Sequence, residues 1–194
     1  MWIDLVHFPH WRQWNPRHFN RDWDPKRSSR PWSTHGYMFQ SVEPPNGLCM
    51  DLWGPDSFRR SDIDLLTDSN INGRLAAVMA DIEKQYRVYG DGIFPHLSHI
   101  TSKHTGDTTI EERYENGIMT KIRIANEWAY GITENLFTMI KFHYSFRLRK
   151  NSECPYFYIA ATILRNAHCC LYGNKVSQYF SCLPPTLENY FSAN

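Results

Sequence analysis

The chain has 194 residues, 42% hydrophobic and 21% charged, with a net charge of +1. That length suits a single domain with a continuous core, and the composition excludes a disordered or membrane-spanning chain, since no long uninterrupted apolar run occurs. The near-neutral balance also excludes a global pull toward nucleic acid, so any such contact must come from local patches.

The amino terminus, MWIDLVHFPHWRQ, lacks the early basic stretch and long apolar run of a signal peptide. Five cysteines (Cys49, Cys154, Cys169, Cys170, Cys182) are odd in number and form no CxxC pair. They argue against a disulfide framework and for a reducing compartment.

In chain order, MWIDLV reads as a short apolar strand over residues 1–6. Residues 7–35 then change character, with Trp11, Trp14, Trp23 and Trp32 among Arg12, Arg17, Arg21, Lys26, Arg27 and Arg30. Pro9, Pro16, Pro25 and Pro31 exclude a helix there. Two readings fit this stretch: an irregular insertion held down by its own tryptophans, or a loop in which arginine meets phosphate and indole meets a base. Two β-rich runs, 37–43 and 48–53, flank Pro44-Pro45-Asn46-Gly47 and read as a hairpin.

Helical stretches follow in RRSDIDLLTDSNI and GRLAAVMADIEKQ, the second with Leu75, Val78, Met79 and Ile82 at helical spacing. YRVYGDG is a short strand ending at Gly90-Asp91-Gly92. Residues 107–132 read as helix, with Glu111, Glu112 and Glu115 early and Ile118, Ile122, Ala125 and Ala129 as the apolar repeat. Further helices are expected at 134–148 and at 156–172. The last is apolar nearly all round and stopped by Gly173, which predicts a core helix. The order describes a mixed α/β fold.

Asp91 draws attention because residues just past the carboxyl end of a strand are favoured places for chemistry in an α/β sheet. Its flanking glycines let the backbone turn and leave the carboxylate accessible. Asp4 sits in the first strand, and Glu127 lies on a helix beside Trp128 and Ala129. Asp4, Asp91 and Glu127 can converge from two strands and one helix to hold Mg2+ or Mn2+, which prefer oxygen ligands. For Glu127 the competing reading is a surface carboxylate whose aromatic neighbour faces elsewhere. His96 and His99 have a His-x-x-His spacing with no further ligand nearby and read as surface loop residues. Lys141, Arg147, Arg149 and Lys150, clustered with aromatics, form either a DNA-backbone contact or a solvated helix face.

Five ordered blocks carry a family resemblance: HGYMFQSVEPPNG, LWGPDSFRRSDIDLLTDSNI, YGDGIFP, MTKIRIANEWAYG, and AATILRNAHCCLYGN with LPPTLENYF. From residue 35 to residue 191 the chain resembles the DDE superfamily endonuclease domain of PIF/Harbinger-type transposases. The 35 residues between Asp91 and Glu127 match an interval typical of DDE enzymes. The resemblance implies a ribonuclease H-like mixed sheet flanked by helices. It also implies a Mg2+-dependent (or Mn2+-dependent) DNA endonuclease with Asp4, Asp91 and Glu127 as the catalytic and metal-binding acids.

Arg12 falls at the expected distance after the first acid. Asp62 corresponds to a supporting aspartate of the family, with Ser61 where a histidine, and Phe58 where a glycine, is usual. Leu5 and Val6 replace a glycine and a threonine. The implied partners are DNA and a separate Myb-like DNA-binding protein, in the nucleus and with no membrane; the oligomeric state is left open. Because Met1 lies almost on the first acid, a truncated first strand is expected. The alternative is therefore a catalytically inactive, domesticated relic that binds DNA or protein.

Overall fold

The alternation in GYMFQSVE lets β2 (Gly36–Glu43) bury both faces of a sheet at once. Met38, Gln40 and Val42 turn to one side, and Phe39, Ser41 and Glu43 to the other. All six are buried. The computed structural model describes residues 2–9, 36–57, 60–80, 86–141 and 153–192.

The hairpin predicted at Pro44 to Gly47 is present, closed by the Gly47 N–H donating to the Pro44 carbonyl at 3.1 Å. Gly47 has φ +80°, a conformation that favours glycine. The chain returns as β3 (Asp51–Ser57), antiparallel to β2. On the other side of β2 lies β1 (Trp2–Pro9), also antiparallel, running from Trp2 opposite Glu43 to Pro9 opposite Gly36.

The strand expected to end at Val6 instead runs on to Pro9. β2 offers partners as far as Gly36, and His7, Phe8 and Pro9 take them. β4 (Val88–Tyr89) and β5 (Ile100–Thr101) complete a five-stranded sheet in the order β3-β2-β1-β4-β5. β1, β4 and β5 are parallel, and the fold is mixed α/β. The Trp/Arg/Pro-rich stretch from residue 10 to 35, Arg12 included, lies outside the described residues.

Helices cover both faces. α1 (Asp62–Asp68) and α2 (Ile71–Met79) are separated by Asn70 in the left-handed region. Leu65, Leu66, Ile71, Leu75 and Met79 pack with Met38, Val42, Val88, Phe94 and Ile100. On the opposite face, Phe39 meets Tyr158 with ring centroids 5.0 Å apart, and Tyr130, Leu52 and Ile159 close around them.

Tyr130 belongs to α3 (Ile110–Leu136). Its start is fixed by a capping box: Thr109 Oγ1 accepts from the Glu112 N–H, and Glu112 Oε2 accepts from the Thr109 N–H at 2.7 Å. α3 runs one turn past its expected end. The helix expected at 134–148 is described only as α4 (Thr138–Lys141), and Arg147, Arg149 and Lys150 lie outside the described residues.

α5 (Cys154–Tyr172), α6 (Lys175–Tyr179) and α7 (Leu187–Ser192) complete the layer. α5 corrects the expectation of a fully buried core helix, because its polar side chains point inward. Arg165, 1% exposed, donates from Nη2 to both Glu43 oxygens at 3.0 Å and from Nη1 to the Ala129 carbonyl at 3.2 Å. Asn166 accepts from the Cys49 N–H and donates to the Cys49 carbonyl, both at 2.8 Å. These partners are buried and need hydrogen bonds. Arg165 and Asn166 therefore turn inward, and Ile163, Leu164 and Leu171 are left outside.

Burial pushes the Glu43 carboxyl above its ordinary pKa, against the opposing pull of Arg165. Arg165→Met would leave that acid buried without its cation, and should cost about 3–5 kcal/mol in urea unfolding. Adding Glu43→Met should restore part of the loss, because no buried charge is then left unpaired. A double variant no more stable than Arg165→Met alone would contradict this account.

Candidate functional site

Asp91 follows β4 directly. The strand geometry persists to Gly90, whose N–H donates to the Thr101 carbonyl at 2.8 Å. The chain then turns, the Phe94 N–H donating to the Asp91 carbonyl at 2.9 Å. Phe94 is buried in the core and its ring fills the space where Gly90 would carry a Cβ. The turn is thus anchored from below while Asp91 stays half-exposed above it. Asp91 Oδ1 accepts from the Gly92 N–H at 2.7 Å.

Asp4 lies in β1, the strand beside β4. Trp2 pairs with Tyr89 in parallel, so Asp4 and Asp91 each stand two residues past a paired position on neighbouring strands.

Glu127 lies on α3, which packs on β1. The inward face of this part of α3 is small, with Ala125 and Ala129 buried against Val176. Tyr130 hydroxyl and Ser41 Oγ are hydrogen-bonded at 3.0 Å, and Arg165 holds the Ala129 carbonyl. Trp128 turns toward α6, its ring edge-on to Tyr179 and under Lys175 Nζ at 3.9 Å. Glu127 is left exposed.

One turn earlier, Arg123 Nη1 sits 3.3 Å from Asp91 Oδ1. Residues four apart share a helix face, and helical side chains lean toward the amino end. The face that carries Glu127 is therefore the face that meets Asp91. Arg123 was not among the residues singled out from sequence; its four-residue spacing from Glu127 was the available signal.

The other candidates are placed as follows. Asp62 is buried in the first turn of α1, on the sheet face opposite α3. Ser61, where the resembled family has a histidine, caps α1: its Oγ accepts from the Asp64 N–H at 3.1 Å. Phe58 lies outside the described residues. Lys141 ends α4.

His96 is exposed, as expected, and stacks on His104 with centroids 5.1 Å apart. His104 in turn meets Glu115 at 3.0 Å. His99 is half-buried rather than on the surface, because its N–H donates to Asn72 Oδ1 at 3.2 Å and draws the loop against α2.

Among the described residues no group of three or more His, Cys, Asp and Glu side chains could hold a metal ion; Asp4 enters only through its backbone position. Asp91 by itself has the oxygen chemistry that a hard divalent cation prefers. Asp91 is an accessible oxygen ligand at a strand end, and a positive charge, the Arg123 guanidinium, already rests against it. Compared with family models, curated proteins and solved structures, the chain matches none.

The anchoring argument predicts unequal costs for two substitutions. Phe94→Ala should lower unfolding free energy by about 3–5 kcal/mol, whereas Arg123→Ala, which breaks a solvent-exposed pair, should cost under about 1 kcal/mol. Equal urea midpoints for the two variants would refute the assignment of Phe94 as the anchor.

Proposed function

We propose that this chain is a divalent-metal-dependent DNA endonuclease domain of the DDE type, related to PIF/Harbinger transposases. Asp4, Asp91 and Glu127 are its metal-binding acids in this reading. The observation that carries it is the Arg123–Asp91 contact, which joins the end of β4 to the helix bearing Glu127, with β1 and its Asp4 paired in parallel beside β4. The sheet order, three antiparallel strands followed by two parallel to β1, agrees with the ribonuclease H-like architecture that the resemblance implies.

In this reading Asp91 supplies a carboxylate just after β4, Glu127 supplies one from the covering helix, and Asp4 of β1 is the third acid. When bound, two divalent ions would activate the attacking water and stabilise the leaving oxygen of a phosphodiester. Arg123 neutralises Asp91 in the metal-free chain. Once a metal takes that role, its guanidinium is free for a DNA phosphate one turn from Glu127.

In the presence of Mn2+, the wild-type chain should nick supercoiled DNA. Asp91→Asn and Glu127→Gln should each reduce nicking by on the order of 1,000-fold or more. In calorimetric titration with Mn2+, Glu127→Ala should bind more weakly than wild type and Arg123→Ala more tightly, because the competing cation is gone. Equal Mn2+ binding by wild type and Glu127→Ala would sink the reading. Absent nicking with DNA binding retained would favour the non-catalytic relic instead.

A further inference from the structure

α5 is fastened to the molecule along one side only. Inward, Arg165 and Asn166 engage Glu43 and Cys49, and Tyr158, Ala161 and Cys169 are buried. Outward, Tyr156, Ala160, Ile163, Leu164 and Leu171 are all exposed, and Ala167 is half-buried between them. At 100° per residue these six fall within an arc of about 100°, a stripe some 22 Å long.

No charged residue occupies an exposed position of the helix. Its formal charge, Arg165, is the buried partner of Glu43. A solvated helix normally carries charged residues on its outer face. This one carries Tyr156 at 68%, Ile163 at 47%, Leu164 at 55% and Leu171 at 57% exposure.

We infer that this stripe of α5 is an interface with a second copy of the same chain, formed by pairing α5 against α5 about a two-fold axis. Three features favour that occupant. First, the stripe has no charge with which to select a charged partner, whereas a second copy matches it in length and apolarity by construction. Second, it is self-complementary in shape: Leu164 lies between Ala160 and Ala167, so the leucine of each copy can seat over the alanines of the other, as a two-fold contact requires.

The third feature is size. At about 150–200 Å2 of full surface for each large side chain, the exposed portions of Tyr156, Ile163, Leu164 and Leu171 with the two alanines amount to roughly 400–500 Å2. That is about half of the roughly 800 Å2 each partner contributes to a standard-size interface, the size of a weak, reversible contact. The inference does not depend on the proposed endonuclease activity.

Sedimentation equilibrium of the full chain between about 1 and 100 μM tests it. Wild type should reach twice its monomer mass within that range. Leu164→Glu and, independently, Ile163→Lys should each raise the dissociation constant by on the order of 30-fold or more. Ile110→Glu, at an 83% exposed apolar site on α3, should leave it unchanged. Far-UV circular dichroism should match wild type for all three variants, because each site is on the surface. A wild-type monomer at 100 μM would overturn the inference, as would a dimer unaffected by both α5 variants. Open-ended association of wild type that the α5 variants cure would overturn it too, since a two-fold contact closes.

Discussion

The contact on which the architecture depends is the ion pair between Arg165 and Glu43, 1% and 4% exposed at their side chains. Three elements meet there: Glu43 ends β2, Arg165 stands in the middle of α5, and the guanidinium also takes the Ala129 carbonyl of α3. A buried pair of this kind contributes little net stability relative to an apolar alternative, but it penalises any arrangement that separates its members. It therefore fixes where α3 crosses the sheet. Thr133 strengthens the same point, its Oγ1 donating to the Ala129 carbonyl at 3.0 Å. Glu127 lies two residues before Ala129, so the placement of an exposed acid is governed by a charge buried beneath it.

The neighbouring residues extend this control to the hairpin. Asn166 pairs with both polar groups of the Cys49 peptide, and Asn174 Nδ2 donates to the Gly47 carbonyl at 2.8 Å. The turn between β2 and β3 is held from the helical layer and does not rely on its own backbone alone. Burial and the nearby Glu43 charge push the Cys49 thiol well above its ordinary pKa, so it stays protonated and donates to the Asp51 carbonyl at 3.2 Å. That cysteine is a structural group, as cysteines in apolar surroundings usually are.

Whatever rested on local chemistry was legible in the sequence. Pro44 to Gly47 announced a turn, the early Glu111, Glu112 and Glu115 with the apolar repeat after them marked a helix, and Gly90-Asp91-Gly92 marked a strand end. What escaped depends on partners far along the chain. Arg165 and Asn166 were not singled out in a helix that reads as apolar nearly all round, because their partners Glu43 and Cys49 lie 122 and 117 residues away. The end of β1 escaped for a similar reason: His7-Phe8-Pro9 has little strand character, and the ladder with β2 supplies what local propensity does not. At the candidate site, spacing along α3 and the position of Asp91 were readable, whereas the Arg123 contact needed the strand and helix to be placed side by side.

In the proposed site, three acids brought together would repel one another unless positive charge is brought in. Among the described residues Arg123 brings it at 3.3 Å, from a side chain that is itself 48% exposed. Such a pair is weak and readily exchanged, unlike the one beneath it at Arg165. The two arginines divide the labour by burial: Arg165 is held where exchange would leave an unpaired charge, and Arg123 stands where water, metal or phosphate can replace it. A rigid support under an exchangeable charge is what a site needs if it is to accept a divalent ion without losing its geometry.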